Sequence, residues 1–189
     1  MPDRLSNEER MLLMRIARQA ITEAVHNQPQ TLLRMENLPA ALRELGASFV
    51  TLTIKGRLRG CIGSLEAYQP LALDVQTRAA QAATEDYRFP PISVLELPSI
   101  HIEISRLTPP VPLPYSTPEE LPHLLHPHED GVILQSGRHR ATYLPQVWDQ
   151  IPDPKDFLSE LCQKMGARAE LWQKTMLDVS IYHVEEFEE

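Results

Sequence analysis

The chain is short of cysteine, glycine and aromatic residues, and it has no long apolar run. Cys61 and Cys162 are its only cysteines. Two thiols make neither a zinc framework nor an iron–sulfur cluster, and in a reducing compartment they stay free. No apolar stretch approaches the roughly 18–20 residues that cross a bilayer. The opening "MPDRLSNEER" is too charged for a secretory leader. A cytoplasmic protein without membrane contact is expected. Basic residues are outnumbered, 18 Lys and Arg against 26 Asp and Glu, for a net charge of −8. They are also scattered, so the basic face of a nucleic-acid binder is missing. There is no phosphate-cradling P-loop, no dinucleotide G-x-G-x-x-G turn and no G-x-S-x-G elbow. No motif calls for a cofactor or a metal.

What is present suits an ordinary globular protein. Apolar residues make up 42% and charged residues 23% of 189, within the usual range. The length fits one domain, or two tightly joined lobes. There are 17 prolines, concentrated between Pro90 and Pro127, so the middle of the chain reads as loop-rich. Ser6 and Glu9 form an S-x-x-E capping box. Behind them apolar residues recur at helical spacing, predicting a helix from Asn7 to His26. Short helical turns are expected around Leu32–Met35 and Pro39–Leu45.

The stretch "SFVTLTIKGRLRGCIGS" reads as two strands joined at Lys55–Gly56. Val50, Leu52 and Ile54 make one apolar face; Leu58, Gly60 and Ile62 make another. The two coincide if Ile54 sits opposite Leu58. That favours a three-residue loop, Lys55–Arg57, or an equivalent bulge. Arg59, Cys61 and Gly63 then share the opposite face with Thr51 and Thr53. Residues two apart on a strand have Cα atoms about 6–7 Å apart. At that range the Arg59 guanidinium can favour thiolate at Cys61. The glycines leave backbone uncovered, for a ligand or for another segment.

Pro70 opens an Ala-rich helix ending near Asp86. "SIHIEISRL" is a strand with Ile100, Ile102 and Ile104 inward. A Pro- and His-rich loop follows, Pro109 to Glu129. "GVILQSGRHRATYL" is a second hairpin, turning near Gly137–Arg138. A short turn begins at Pro145, a helix spans Pro154 to Met165 with Gly166 closing it, and "MLDVSIYHVEEF" ends the chain as a strand. Hairpins mixed with helices predict an α+β fold, antiparallel sheet flanked by helices.

Several strings together resemble one family. They are "LRGCIG", "AAQAATEDYRFPPISVLEL", "IHIEISRLTPP", "EDGVILQSGRHRATYLPQVW", "FLSELCQKMG" and the closing Tyr182 and Phe187-Glu188. Over nearly its whole length the chain resembles the AMMECR-type domain family, known in prokaryotes as AmmeMemoRadiSam system protein A. The resemblance implies one α+β domain over residues 1–189, with a larger antiparallel-sheet lobe and a smaller lobe. It implies association with a Memo-like protein and a radical S-adenosylmethionine protein, in which any radical chemistry would reside. It implies no settled reaction. "KMGARAE" departs from the family's usual Lys-Ala-Gly-Leu-Pro, which loosens any inference for Lys164, and residues 112–129 look like a variable insert.

Each candidate residue has two readings. Cys61 is a reactive thiol or a small buried residue. Arg59 binds a carboxylate or phosphate, or pairs with Asp86 or Glu103. Asp86 and Arg88 join a polar pocket, or pair with each other and pin the chain's exit from the helix. Glu103 is a general base with a raised pKa, or the cross-strand partner of an arginine. Gly60 and Gly63 admit a ligand or a packed segment. Gln146 caps a turn or touches a ligand; Lys164 steadies the end of its helix or binds. His123, His126, His128, Glu129 and Asp130 are dense enough to hold a metal, but not at a zinc spacing. Two functions follow: an accessory binding module, or a small enzyme using Cys61, Arg59 and Glu103 on an anionic or carbonyl-bearing substrate.

Overall fold

A computed structural model describes residues 4–189. In chain order its main elements are α1 (Asn7–Val25), α2 (Ala40–Arg43), β1 (Leu45–Ile54), β2 (Arg57–Gly63), β3 (Gln69–Pro70), α3 (Leu71–Thr84), β4 (Ile100–Leu107), β5 (Val111–Pro112), α4 (Leu121–Leu124), β6 (Gly131–Ser136), β7 (His139–Tyr143), α5 (Pro154–Lys164), α6 (Leu171–Lys174), β8 (Asp178–Tyr182) and β9 (Val184–Glu188). The fold is α+β with antiparallel sheets. It divides into two compact units, one running to Thr108 and including Glu185–Glu189, the other spanning Pro109–Val184.

In the first unit α1 begins at the capping box. The Ser6 hydroxyl accepts the Glu9 amide at 3.3 Å, and the Glu9 carboxylate accepts the Ser6 amide at 2.7 Å. Leu13, Ile16, Ala17, Ala20 and Ile21 turn inward. The sheet runs in the order β2-β1-β4-β9. Its inner face pairs Val50 with Ile104, Leu52 with Ile102 and Ile54 with Ile100. These residues share one core with α1 and the alanines of α3. Truncating a side chain buried this deeply, such as Leu52, costs about 2–5 kcal/mol. Glu185 at the start of the returning strand is nearly buried and is bound by Arg10 at 2.6 Å and Arg106 at 3.2 Å. It thereby ties β9 to α1 and β4.

Of the two expectations for the first hairpin, the bulge holds and the three-residue loop does not. Its turn is two residues, Lys55 and Gly56, with φ of +51° and +74°, so Ile54 faces Arg57. The apolar faces are realigned by a bulge instead. Thr53 pairs with Leu58 and the next pair is Leu52 with Gly60, which leaves Arg59 as the extra residue. Gly60 and Ile62 stay on the inner face. Leu58 does not, and is 43% exposed.

The second unit is a sheet in the order β5-β8-β6-β7. Its core includes Leu134, Leu158, Leu161 and Cys162, and a stacked pair, Trp148 and Phe157, with ring centroids 3.7 Å apart. The Pro- and His-rich segment is more ordered than a loop. It holds β5 and α4, and buries Leu121 and Leu125 in that core. The single closing strand of the sequence reading is two strands, broken at His183, one in each sheet.

Candidate functional site

The residues singled out around "LRGCIG" meet along the outer strand, β2. An edge strand turns alternate backbone groups outward, where no neighbouring strand takes them. At Cys61 side chains take them. The amide donates to Asp86 Oδ2 at 2.8 Å, and the carbonyl accepts from Arg88 Nη2 at 3.1 Å. Arg88 in turn donates to Asp86 through Nε at 2.9 Å, Nη2 at 2.7 Å and its own amide at 3.1 Å. Asp86 is only 6% exposed. Its hydrogen bond from Arg88 outweighs the cost of burial and, with the Cys61 amide, holds the carboxyl far below the usual range. Arg88 is correspondingly raised, first by Asp86. The pair is therefore local, as one of the two readings had it, and it also grips β2.

Arg59 is fully engaged elsewhere. It holds Glu96 with two bonds, Nε to Oε1 at 2.8 Å and Nη2 to Oε2 at 3.2 Å. Nη1 and Nη2 also donate to the Pro90 and Pro91 carbonyls at 2.7 and 3.3 Å. Glu96 accepts the Ser93 amide and hydroxyl, both at 2.8 Å. Arg59 first, and Ser93 after it, lower the Glu96 carboxyl to about 2. The expected partners of Arg59, Asp86 and Glu103, are thus replaced by Glu96. The cation that contacts Cys61 is Arg88, through the Cys61 carbonyl, and not Arg59. The bulge is the physical reason, because it breaks the alternation that would set Arg59 beside Cys61. Glu96 was not singled out from the sequence. Its S-x-x-E spacing from Ser93 was the available signal.

Cys61 is half-buried. The Thr51 hydroxyl donates to its sulfur at 3.3 Å. Thr51 stands opposite Cys61 on one side and Glu103 on the other, so thiol, hydroxyl and carboxyl form a row across three strands. Burial raises the Glu103 pKa, with Glu186 and Glu188 adding to it and His101 opposing. No arginine pairs with Glu103 among the described residues, so the expected cross-strand partner is absent.

The two glycines serve packing. A Cβ on Gly60 would stand 2.1 Å from the Ala82 carbonyl oxygen, so glycine lets α3 lie directly on β2. A Cβ on Gly63 would stand 2.3 Å from the Phe49 ring. Of the alternatives for these positions, another segment fills both.

Lys164 and Gln146 belong to the second unit. Lys164 donates to the Thr142 carbonyl at 2.9 Å and lies 4.6 Å from the centre of the Tyr143 ring. It ties α5 to β7 rather than closing its own helix. Gln146 is exposed in the turn Pro145–Asp149. Of the histidines, His126 lies against the buried Asp130 at 3.3 Å, as does His183 at 3.1 Å, and His128 pairs with Asp149 at 3.1 Å. Among the described residues no group of three His, Cys, Asp or Glu is placed to hold a metal.

The segment that Asp86, Arg88 and Arg59 brace carries exposed apolar side chains. Tyr87 is 96% exposed and Leu95 91%, with Val94 beside it half exposed. A stiff loop presenting an aromatic and aliphatic residues can dock against another surface with little loss of entropy. None of these was a candidate in the sequence, because an apolar residue in a loop shows its exposure only once the fold is known.

A profile of the AMMECR1 family matches residues 14–187. A protein from Thermofilum pendens is 40% identical over 197 residues, covering 98% of this chain and 92% of its own. A protein from Methanothermobacter thermautotrophicus is 42% identical over 166 residues, covering 86% of this chain and 84% of its own. Among solved structures, an uncharacterized protein from Pyrococcus horikoshii matches with a TM-score of 0.75 at 32% identity, over 98% of this chain and 93% of that one. The names of these three proteins state no activity.

Proposed function

The chain belongs to the AMMECR1 family, and from that premise we propose that it is an accessory binding module that docks onto partner proteins in the cytoplasm. One observation carries the reading. Arg59, Asp86, Arg88 and Glu96 are engaged with one another and with backbone, bracing residues 86–96, while Tyr87 and Leu95 on that segment are almost wholly exposed. Charged groups engaged this way support a scaffold, and exposed Tyr and Leu on a scaffold support docking. The family resemblance supplies the partners to test, a Memo-like protein and a radical S-adenosylmethionine protein. The test is titration of each purified partner from the same genome with this chain and with Tyr87→Ala/Leu95→Ser. Loss of a docking residue is expected to cost about 2 kcal/mol, or roughly thirtyfold in Kd. Circular dichroism should not change, since both side chains are exposed. Binding to neither partner, or equal binding by the double variant, overturns the reading.

A second reading rests on the row Cys61–Thr51–Glu103. A half-buried thiol that faces a hydroxyl, with a carboxyl of raised pKa in the same row and a cation nearby, suits a small enzyme acting on an anionic or carbonyl-bearing substrate. In that reading Cys61 is the nucleophile, Glu103 the base and Arg88, in place of Arg59, the cation.

A further inference from the structure

The chain passes between the two units twice, after Thr108 and after Val184. Both passages use one pair of neighbouring strands. β4 and β9 lie side by side in the first sheet, and β5 and β8 lie side by side in the second. β4 leads on into β5, and β8 leads on into β9. In the first unit Arg106 holds Glu185 at 3.2 Å. In the second, Val111 stands opposite Ile181. Two connections that run side by side define a single axis.

Between these fixed points the ladder stops. β4 ends at Leu107 and β5 begins at Val111; β8 ends at Tyr182 and β9 begins at Val184. Pro109 and Pro110 have no N–H to offer a neighbouring strand, so they keep the two sheets from closing into one continuous ribbon. The chain also comes to the surface here. Leu107, Tyr182 and Glu185 are buried, whereas Pro109, Pro110 and His183 are exposed. Each flank is anchored inside its own unit. Glu185 accepts Arg10 at 2.6 Å, Arg106 at 3.2 Å and the Leu5 amide at 3.3 Å. The Tyr182 hydroxyl donates to the Tyr143 carbonyl at 3.0 Å, and His183 meets the buried Asp130 at 3.1 Å. On the outgoing side the Leu113 amide donates to the Val179 carbonyl at 2.9 Å. Hinges are a few residues at element ends that absorb a change in φ and ψ, and these anchors confine such residues to 108–110 and Val184.

We propose that residues 108–110 and Val184 form a two-strand hinge about which the second unit turns as a rigid body. Each unit has its own core, so turning disturbs neither packing. Residues 86–96 lie wholly in the first unit, so the second unit can turn while docking through that segment holds.

Pulsed electron double resonance between paired nitroxide labels tests this. In a Cys61→Ser background the fully buried Cys162 takes no label. Met11→Cys/Lys155→Cys places one label on each unit. Met11→Cys/Tyr87→Cys and Gln135→Cys/Lys155→Cys keep both labels on one unit. All four positions are exposed, and circular dichroism checks the fold of each variant. The cross-unit distance distribution should be at least twice as broad as either within-unit distribution. Pro109→Gly/Pro110→Gly frees φ at the outgoing crossing and should broaden the cross-unit distribution further, leaving the within-unit pairs unchanged. A cross-unit distribution as narrow as the within-unit ones overturns the proposal. So does one whose width does not respond to the two glycines, since the motion would then lie elsewhere.

Discussion

Arg59 grips both carboxylate oxygens of Glu96, at 2.8 and 3.2 Å, and so closes residues 60–95 into a loop pinned at its base. The Glu96 carboxyl is lowered from 4.5 to about 2. A lowered carboxyl stabilises the fold at pH values above its unfolded pKa. The stabilisation is complete above about pH 5 and is lost as the pH falls from there toward 2. Half-exposed pairs are screened, so about 1 kcal/mol is expected at neutral pH. Urea unfolding of Glu96→Gln should show that deficit at pH 7 and close most of it by pH 2.5. An equal deficit at both pH values would mean the carboxylate charge contributes nothing.

Asp86 should show the same sign more strongly. Its carboxyl is more deeply buried and is held further below its ordinary value by Arg88 and the Cys61 amide. Its contribution is present above about pH 4–5 and persists to lower pH than that of Glu96. Asp86→Asn keeps the shape but loses charge-assisted bonds, each worth about 1.5–3 kcal/mol. A loss of about 2–3 kcal/mol at pH 7 is expected. At pH 2.5 the Asp86→Asn deficit should still be visible while the Glu96→Gln deficit has nearly gone. The reversed order would assign the stronger hold to Arg59.

The strands and helices here were legible because their signals are periodic. Ile100, Ile102 and Ile104 alternate inward as spaced, and the Ser6–Glu9 box starts α1 where the pattern begins. Partners across the chain were not legible. Arg59 could have met any acid on the polar face, and its pairing with Glu96 goes with a bulge that the residue pattern does not locate. Asp86 and Arg88 were recognisable as a pair from their i, i+2 spacing. That they bind the backbone of Cys61 required knowing that β2 is an edge. His183 shows the same limit from another side. Val179 and Ile181 alternate up to it, and the same phase continues with the polar His183 and Glu185, yet no proline or glycine marks a break between β8 and β9.

Close packing at Gly60 gives a prediction that separates two kinds of glycine. In Gly60→Ala the new methyl meets the Ala82 carbonyl oxygen at 2.1 Å, a backbone atom that can move only with α3. Overpacking of this kind costs about 1–3 kcal/mol or more. In Gly56→Ala nothing lies within 4 Å, and only the φ of +74° opposes the change, which costs about 1 kcal/mol. Thermal melts should place Gly60→Ala well below Gly56→Ala. A Gly60→Ala that melts like the wild type would mean α3 stands off β2 in solution.

The reactivity of Cys61 should follow Arg88 and not Arg59. Arg59 is separated from the thiol's neighbourhood by the bulge and held by Glu96 and two proline carbonyls. Arg88 donates to the Cys61 carbonyl at 3.1 Å, and a nearby cation favours the nucleophilic thiolate. Iodoacetamide labelling followed by intact mass, at neutral pH, measures this directly. Cys162 does not interfere, because it is buried and its thiol is pushed up by that burial. Labelling at Cys61 should slow at least threefold in Arg88→Gln and stay within twofold of wild type in Arg59→Gln. Cys61→Ser should abolish it. If neither arginine matters and labelling waits for unfolding, the thiol is part of the scaffold and the enzyme reading fails. If Arg88 alone matters, the pairing of Asp86 with Arg88 sets how much of that charge reaches the sulfur, and Asp86→Asn should then speed labelling.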